Sequence, residues 1–387
     1  MAGYFTAPRI AWGPGAVEQL SGLGAHRALL VVDPIVARRA GERRVVEELA
    51  KTETHLEVVT DLDPPGAPDS VRALRERIAA YGPDWLVVVG GGATMDTAKA
   101  ARLWAERPEA PLEQLAAVSE FPDPPRTRVA CLPTTSGSGS EASWTADLVG
   151  SDGAPIELAH RALVPDWALV DASLAAGLSL DQVADGAFET LALAAEAYLS
   201  AWSNPFSDAL AADAATTVVR RLPHALRWSD DPEARAALHY AATAAGLAAS
   251  NSQRGVAHAL ARALAPPSGL SYGRLLAILL PLALEFDHPS ARDRLEALAV
   301  ALAPAEDGGR TPLPLPTRVR RLAEAAHLPA TLRAAGADTG RVERDRETVV
   351  AHALRSPAVL ANPRVPTREE LGDIVRAAVG LPGVADP

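Results

Sequence analysis

The chain has 387 residues, 48% of them hydrophobic and 22% charged, enough to bury more than one core. A net charge of −11 with no basic stripe argues against a nucleic-acid partner. A lone cysteine, Cys131, cannot close an internal disulfide, the N-terminus lacks signal-peptide features, and the longest apolar run, 275–284, is too short to span a bilayer. These features point to a cytoplasmic protein with no membrane partner.

In chain order, 28–32, 56–60, 85–89, 129–132 and 168–170 are short runs rich in Val and Leu that predict buried strands. Between them, 36–50, 68–80 and 94–104 carry helical spacing, so the first part is expected to be a parallel sheet covered on both faces. From about Asp181 the strand signal ends. The Ala/Leu-rich stretches 187–202, 232–250 and 291–302 predict helices, and the Pro/Gly-rich stretch 304–316 predicts a loop. The expected organisation is an α/β nucleotide-binding domain over 1–177 and an all-helical domain over 178–387, with the boundary within 173–180.

The segment 85–100 reads as strand, glycine turn and helix start. Gly90, Gly91 and Gly92 allow close approach of a ligand, and the following helix N-terminus offers N–H groups to a phosphate. A plain strand–helix turn would also explain them, and the spacing is not the Rossmann G-x-G-x-x-G. A second segment, Leu132-Pro-Thr-Thr-Ser-Gly-Ser-Gly-Ser-Glu141, clusters hydroxyls after another strand, as a diphosphate or amide site would, or a polar loop. Asp33 follows the first of these strands, where a carboxylate can accept from a ribose and repel a 2′-phosphate, or simply turn the chain.

Together these segments resemble the iron-containing (group III) alcohol dehydrogenases of the dehydroquinate synthase-like superfamily. The stretch from Gly90 resembles their GGG-S-x-x-D-x-A-K-A pattern, and that from Pro133 their P-T-T-x-G-T-G-S-E pattern. Further echoes are Gly13-Pro-Gly-Ala16, Leu163-Val-Pro-Asp166, Val170-Asp171, Glu196-Ala-Tyr198 and Asn362-Pro-Arg364. The resemblance implies an α/β nucleotide domain, a helical domain and an active site between them. It implies that Gly91, Gly92, Asp96 and Lys99 lie around the cofactor phosphates and nicotinamide, with Thr134, Thr135 and Ser140 lining the same cleft. Asp33 then favours NAD(H), with NADP(H) as the alternative, and a homodimer is expected.

Members of that family hold a divalent metal through Asp-x-x-x-His on one helix and two later His residues. By resemblance, Glu189 stands at the Asp position and Leu193 at the first His. His258 retains the third ligand, Arg262 replaces a His near the nicotinamide, and Tyr272-Gly273 replaces an H-G pair. Leu193 cannot coordinate, and neutral Tyr272 is a poor ligand for a divalent ion, so no metal is expected. Ferric iron on Glu189, His258 and Tyr272 stays as the alternative. The other histidines (His26, His55, His160, His224, His239, His288, His327, His352) show no ligand spacing.

The expected activity is a metal-independent, NAD(P)(H)-dependent oxidoreductase acting on a small carbonyl, imine or alcohol. His258 or Tyr272 would move the proton, Glu189 would orient His258, and Arg262 would bind a carbonyl or anionic group. Alternatives are a non-redox cyclase, lyase or isomerase of specialised metabolism, and a non-catalytic nucleotide-binding homologue.

Overall fold

The structure is a computed structural model and describes residues 4–38, 42–62, 64–117, 120–122, 124–150, 152–228, 231–303 and 312–380. The chain divides into two compact units, Met1–Leu178 and Ser179–Pro387.

Among its described residues the first unit has eight strands: β1 (Arg9–Trp12), β2 (Arg27–Val32), β3 (His55–Val59), β4 (Trp85–Gly90), β5 (Arg128–Pro133), β6 (Thr145–Val149), β7 (Pro155–Ala159) and β8 (Trp167–Val170). Six form one wholly parallel sheet in the order β1-β8-β5-β4-β2-β3. The central strands are apolar on both sides because both faces are covered. Leu29, Val31, Leu86 and Val88 enter one core with Val71, Leu74 and Met95. Ala28, Leu30, Val87 and Val89 enter the other with Val17, Val45 and Leu49. The covering helices are α1 (Pro34–Arg38), α2 (Arg43–Ala50), α3 (Pro68–Tyr81) and α4 (Gly92–Glu106). The helix expected over 36–50 is thus two helices, with 39–41 outside the described residues. The strand β1 and the antiparallel pair β6–β7 were not expected from the sequence pattern.

Strand order reverses between β2 and β4: β2 leads outward to β3, whereas β4 leads the other way to β5. In open α/β sheets the carboxyl edge at such a reversal leaves a crevice for ligands. Asp33, Gly90–Gly92 and the hydroxyl-rich loop after Pro133 all leave the sheet at that edge.

The second unit is helical: α5 (Leu180–Leu199), α6 (Pro205–Arg227), α7 (Pro232–Ser250), α8 (Val256–Ser268), α9 (Tyr272–Ala301), α10 (Leu315–Ala325), α11 (Thr339–Arg344), α12 (Arg346–Arg355), α13 (Ala358–Ala361) and α14 (Arg368–Val379). The expected helix 291–302 is the second half of α9, which kinks at Ala291 just after Pro289. Most of the loop expected over 304–316 lies outside the described residues. No described helix is long and apolar enough to cross a membrane.

Two contacts set where α9 begins. Ser271 caps it and donates to Asp185 Oδ2 of α5 at 2.5 Å, while Arg274 Nε donates to Asp185 Oδ1 at 2.8 Å. Between them Gly273 packs so tightly on α5 that a Cβ there would lie 2.1 Å from the Asp185 carbonyl oxygen. Gly273→Ala is therefore expected to lower the denaturant midpoint by the equivalent of about 3 kcal/mol, at the upper end of overpacking costs. Gly372→Ala in α14, whose Cβ would meet nothing nearer than 3.7 Å, should instead gain up to about 1 kcal/mol of helix propensity. Equal midpoints for the two variants would refute the tight α5–α9 contact.

Candidate functional site

In the first unit the candidate residues meet at the carboxyl edge of the sheet. Helix α4 starts at Gly92 without a side-chain cap, so its first N–H groups are turned to whatever lies beyond the strand ends. Thr134 N donates to the Gly90 carbonyl at 3.0 Å, and Thr135 packs beside Gly91. A Cβ on Gly92 would stand 2.8 Å from Ser138, so only glycine lets the two loops lie together. Asp33 bridges the reversal point: Ile35 N donates to its Oδ1 and Thr94 Oγ1 to its Oδ2, at 2.8 and 2.7 Å.

Asp96 and Lys99 lie beneath this edge. Lys99 is fully buried, and its Nζ donates to the Ser140 carbonyl, Ser140 Oγ and Ser143 Oγ at 2.9–3.1 Å and to Asp96 Oδ1 at 3.3 Å. Asp96 also accepts from Ser140 Oγ and from Asp147 N. Burial pushes the Asp96 carboxyl up, and Lys99 draws it partly back. All the ammonium's donors are thus committed within the unit, so these side chains hold the hydroxyl-rich loop on α4. A single carboxylate, an uncapped helix start and clustered hydroxyls suit a dinucleotide: ribose to the first, diphosphate to the second, amide to the third.

In the second unit the central residue is His258, on the first turn of α8 and only 1% exposed. Its Nδ1 lies 2.5 Å from Glu196 Oε2, and its Nε2 is buried with no hydrogen-bond partner among the described residues. Glu196 also accepts from Gly255 N at 2.9 Å and from Ala257 N at 2.6 Å. Asn362 takes Val256 N at 3.1 Å, and its Nδ2 donates to Asp287 at 2.5 Å and to the Arg364 carbonyl at 2.9 Å. Helix α8 lacks a cap of its own at Gly255; a glutamate and an asparagine from elsewhere in the fold supply it. Burial lowers the pKa of His258, Glu196 opposes this, and Arg254 and Arg262 reinforce it.

Tyr272 packs edge-on to the His258 ring, centroids 5.8 Å apart. Its hydroxyl donates to the His258 carbonyl at 3.4 Å and accepts from an Arg262 terminal nitrogen at 3.5 Å. The structure thus groups His258, Tyr272 and Arg262. Glu189 sits on α5 two turns before Glu196, and Leu193 is buried between them. The orienting contact to Nδ1, expected of Glu189, is made by Glu196. Glu196 and Asn362 appeared in the sequence only as family echoes, and Asp287 not at all.

These side chains do not fit a catalytic divalent metal. Glu, Leu, His and Tyr supply two ordinary ligands where such sites use three, and among the described residues no group of three His, Cys, Asp or Glu side chains could hold an ion.

Burial pushes the Asp287 carboxyl up to about 7, Asn362 and Arg364 restraining the rise and Glu196 adding to it. An acid raised from 3.8 in this way binds its proton more tightly when folded. Its stabilising contribution is complete below pH 3.8 and is lost as pH climbs to about 7. Between pH 6 and 8 this group should cost about 1 kcal/mol. Asp287→Asn keeps the oxygen that Asn362 donates to, so it should flatten that part of the profile. Denaturant midpoints for both proteins at the two pH values check this, and identical slopes would refute it.

Comparison with known proteins agrees with this architecture. Residues 7–172 match the family described as iron-containing alcohol dehydrogenase, and residues 183–379 match the Fe-containing alcohol dehydrogenase family, C-terminal. An NADPH-dependent butanol dehydrogenase of Clostridium saccharobutylicum is 27% identical over 377 residues, covering 96% of each chain. An alcohol dehydrogenase of Thermococcus barophilus is 28% identical over 381 residues, covering 96% of this chain and 97% of its own. The structure of an iron-containing alcohol dehydrogenase from Thermococcus thioreducens superposes with a TM-score of 0.87 at 28% identity, covering 97% of this chain and 99% of that one. With both halves matched in order, the chain belongs to the iron-containing alcohol dehydrogenase family and is an oxidoreductase of the alcohol dehydrogenase type.

Proposed function

We propose that this protein is a metal-independent, nicotinamide-dependent oxidoreductase that reduces a small carbonyl or imine, or oxidises the matching alcohol. The observation that carries this reading is the buried, unpartnered Nε2 of His258 beside Tyr272 and Arg262, at positions where a divalent ion would lack ligands. A buried polar atom left unpaired costs about 1–3 kcal/mol, so such an atom marks a place where a polar partner is met in function.

The residues at the carboxyl edge of the sheet fit a dinucleotide. Gly91 and Gly92 with the start of α4 would take the diphosphate, Thr134 and Thr135 would line the nicotinamide side, and Asp33 would accept from the ribose hydroxyls. Asp96, Lys99 and Ser140 hold those segments in register. When bound, the nicotinamide supplies or receives hydride. His258 exchanges the substrate proton at Nε2, with the Tyr272 phenol as the second protic group. Arg262 places a fixed positive charge where oxyanion character develops, which offsets part of the several kcal/mol that a metal contributes elsewhere. An activated ketone or iminium would need that help least.

Purified protein should turn over a panel of aldehydes, ketones and cyclic imines at rates unchanged by chelation or by added iron or zinc. His258→Gln should lower kcat by about 10²-fold or more. Turnover that needs stoichiometric metal would contradict the proposal, and product formed without net change in nicotinamide absorbance would favour a non-redox reaction.

Asp33 also predicts a cofactor preference. NADH should be used at least about 10-fold better than NADPH, a difference of about 1.4 kcal/mol. Asp33→Ser, which can still cap α1, should erase that preference, and kcat/KM for both cofactors in both proteins tests it. The Clostridium relative is named as NADPH-dependent, so an NADPH preference here would show that Asp33 does not select.

A further inference from the structure

We propose that the amino-terminal edge of the sheet carries a second binding site, for a small neutral molecule with an N–H donor beside a carbonyl or ring-nitrogen acceptor. A lactam and the edge of a nucleobase both have that pattern. The site is independent of the proposed function. Helix α4 starts at the carboxyl edge with Gly92 and ends at this one with Glu106, about 20 Å away.

A cavity of about 310 Å³ lies here, between the end of α3, the last turn of α4 and the segments leading into β4 and β5. That is at the small end of the range for ligand pockets. Its floor is fixed: Arg128 N donates to the Asp84 carbonyl at 2.9 Å, and Thr127 Oγ1 to the Pro83 carbonyl at 2.8 Å. Arg102 and Glu106, four residues apart on α4, both line the cavity and are 2% and 7% exposed. Opposite charges at that spacing can pair along a helix face, yet here each turns to another group. A terminal nitrogen of Arg102 donates to the Ala162 carbonyl, and Glu106 Oε1 accepts from Arg126 N at 2.8 Å. Arg102 Nε and Glu106 Oε2 are left buried with no hydrogen-bond partner among the described residues. Arg126 Nε approaches Oε2 only to 3.6 Å, on a side chain that is 83% exposed. One buried donor and one buried acceptor on residues lining the same cavity mark a place where a complementary pair is met.

The charges around the cavity decide the class of ligand. Arg102 and Arg126 stand against Asp84 and Glu106, so the four cancel. Burial lowers the Arg102 pKa, and Asp166 and Glu106 oppose this, so the guanidinium is already compensated within the unit. An anion would meet Glu106 and the partial negative ends of α3 and α4, and a cation would meet Arg102. A neutral ligand avoids both penalties. Its carbonyl or ring nitrogen accepts from Arg102 Nε, its N–H donates to Glu106 Oε2, and Ile78, Pro83 and Ala105 offer apolar surface to the rest.

Uracil and δ-valerolactam serve as neutral probes, with acetate and methylguanidinium as charged controls, each titrated against the full chain by saturation-transfer NMR. Both neutral probes should bind with a Kd of about 1 mM or tighter, at least about 10-fold better than either control. Glu106→Gln keeps an oxygen for Arg126 N but puts a donor in place of Oε2, and should weaken both at least about 10-fold. Ala79→Phe, at an exposed position lining the cavity, should do the same without disturbing a buried polar group. Failure of either neutral probe to bind, tighter binding of a control, or neutral-probe affinity unchanged in either folded variant overturns the proposal. Should Glu106→Gln not fold, the ranking of the probes and Ala79→Phe decide.

Discussion

The helical unit depends on one buried negative charge placed at a helix start. A carboxylate taken out of water is costly unless polar partners meet it, and Glu196 meets two backbone N–H donors and the His258 ring. The two donors come from the first turn of α8, whose N–H groups have no partners within the helix, and the partial positive charge of that end adds to them. The same contact therefore satisfies the orphan donors of one helix and the desolvated charge of another. It also explains why α8 can begin at Gly255 with no polar side chain of its own.

The α/β unit solves a similar problem with the opposite sign. Lys99 is a fully buried cation that meets oxygens of one loop and of Asp96 on its own helix, and Asp96 ties that loop to α4 and to β6. Flexible glycine and serine residues would otherwise leave the loop with many conformations, at an entropic cost to any ligand that ordered them. The buried pair fixes the loop before a ligand arrives. In both units a desolvated charge preorganises a segment whose own sequence is too plain to do so.

The regular elements were legible where one signal dominated. The apolar run 85–89 becomes Trp85–Gly90, and the predicted helix 232–250 has the observed bounds, because continuous burial leaves an unambiguous pattern. The strand Arg9–Trp12 was missed because it is a four-residue edge strand with exposed ends. The pair Thr145–Val149 and Pro155–Ala159 mixes acidic and apolar residues, without the long run that marked its neighbours. Within the helical unit, His258, Tyr272 and Arg262 were picked out by the family resemblance, at positions matching its histidines. The role of Glu196, seen there only as a family echo, was not legible, since its partners lie 59 to 62 residues along the chain and nothing local to α5 announces them. Asp287 was invisible for the same reason: its pairing with Asn362 spans 75 residues.

The electrostatics of the His258 site also bear on why a ligand set can change while its support remains. A divalent ion on Nε2 would compete with a proton for the same lone pair, and would leave Glu196 only the task of holding the ring. On the proposed reading, Leu193 and Tyr272 at the family's ligand positions offer such an ion no ordinary ligand, and Arg262 adds one fixed guanidinium charge. Arg254 and Arg262 then disfavour a charged ring while Glu196 favours one. The Glu196 contact to Nδ1 orients the ring whether Nε2 meets an ion or a proton.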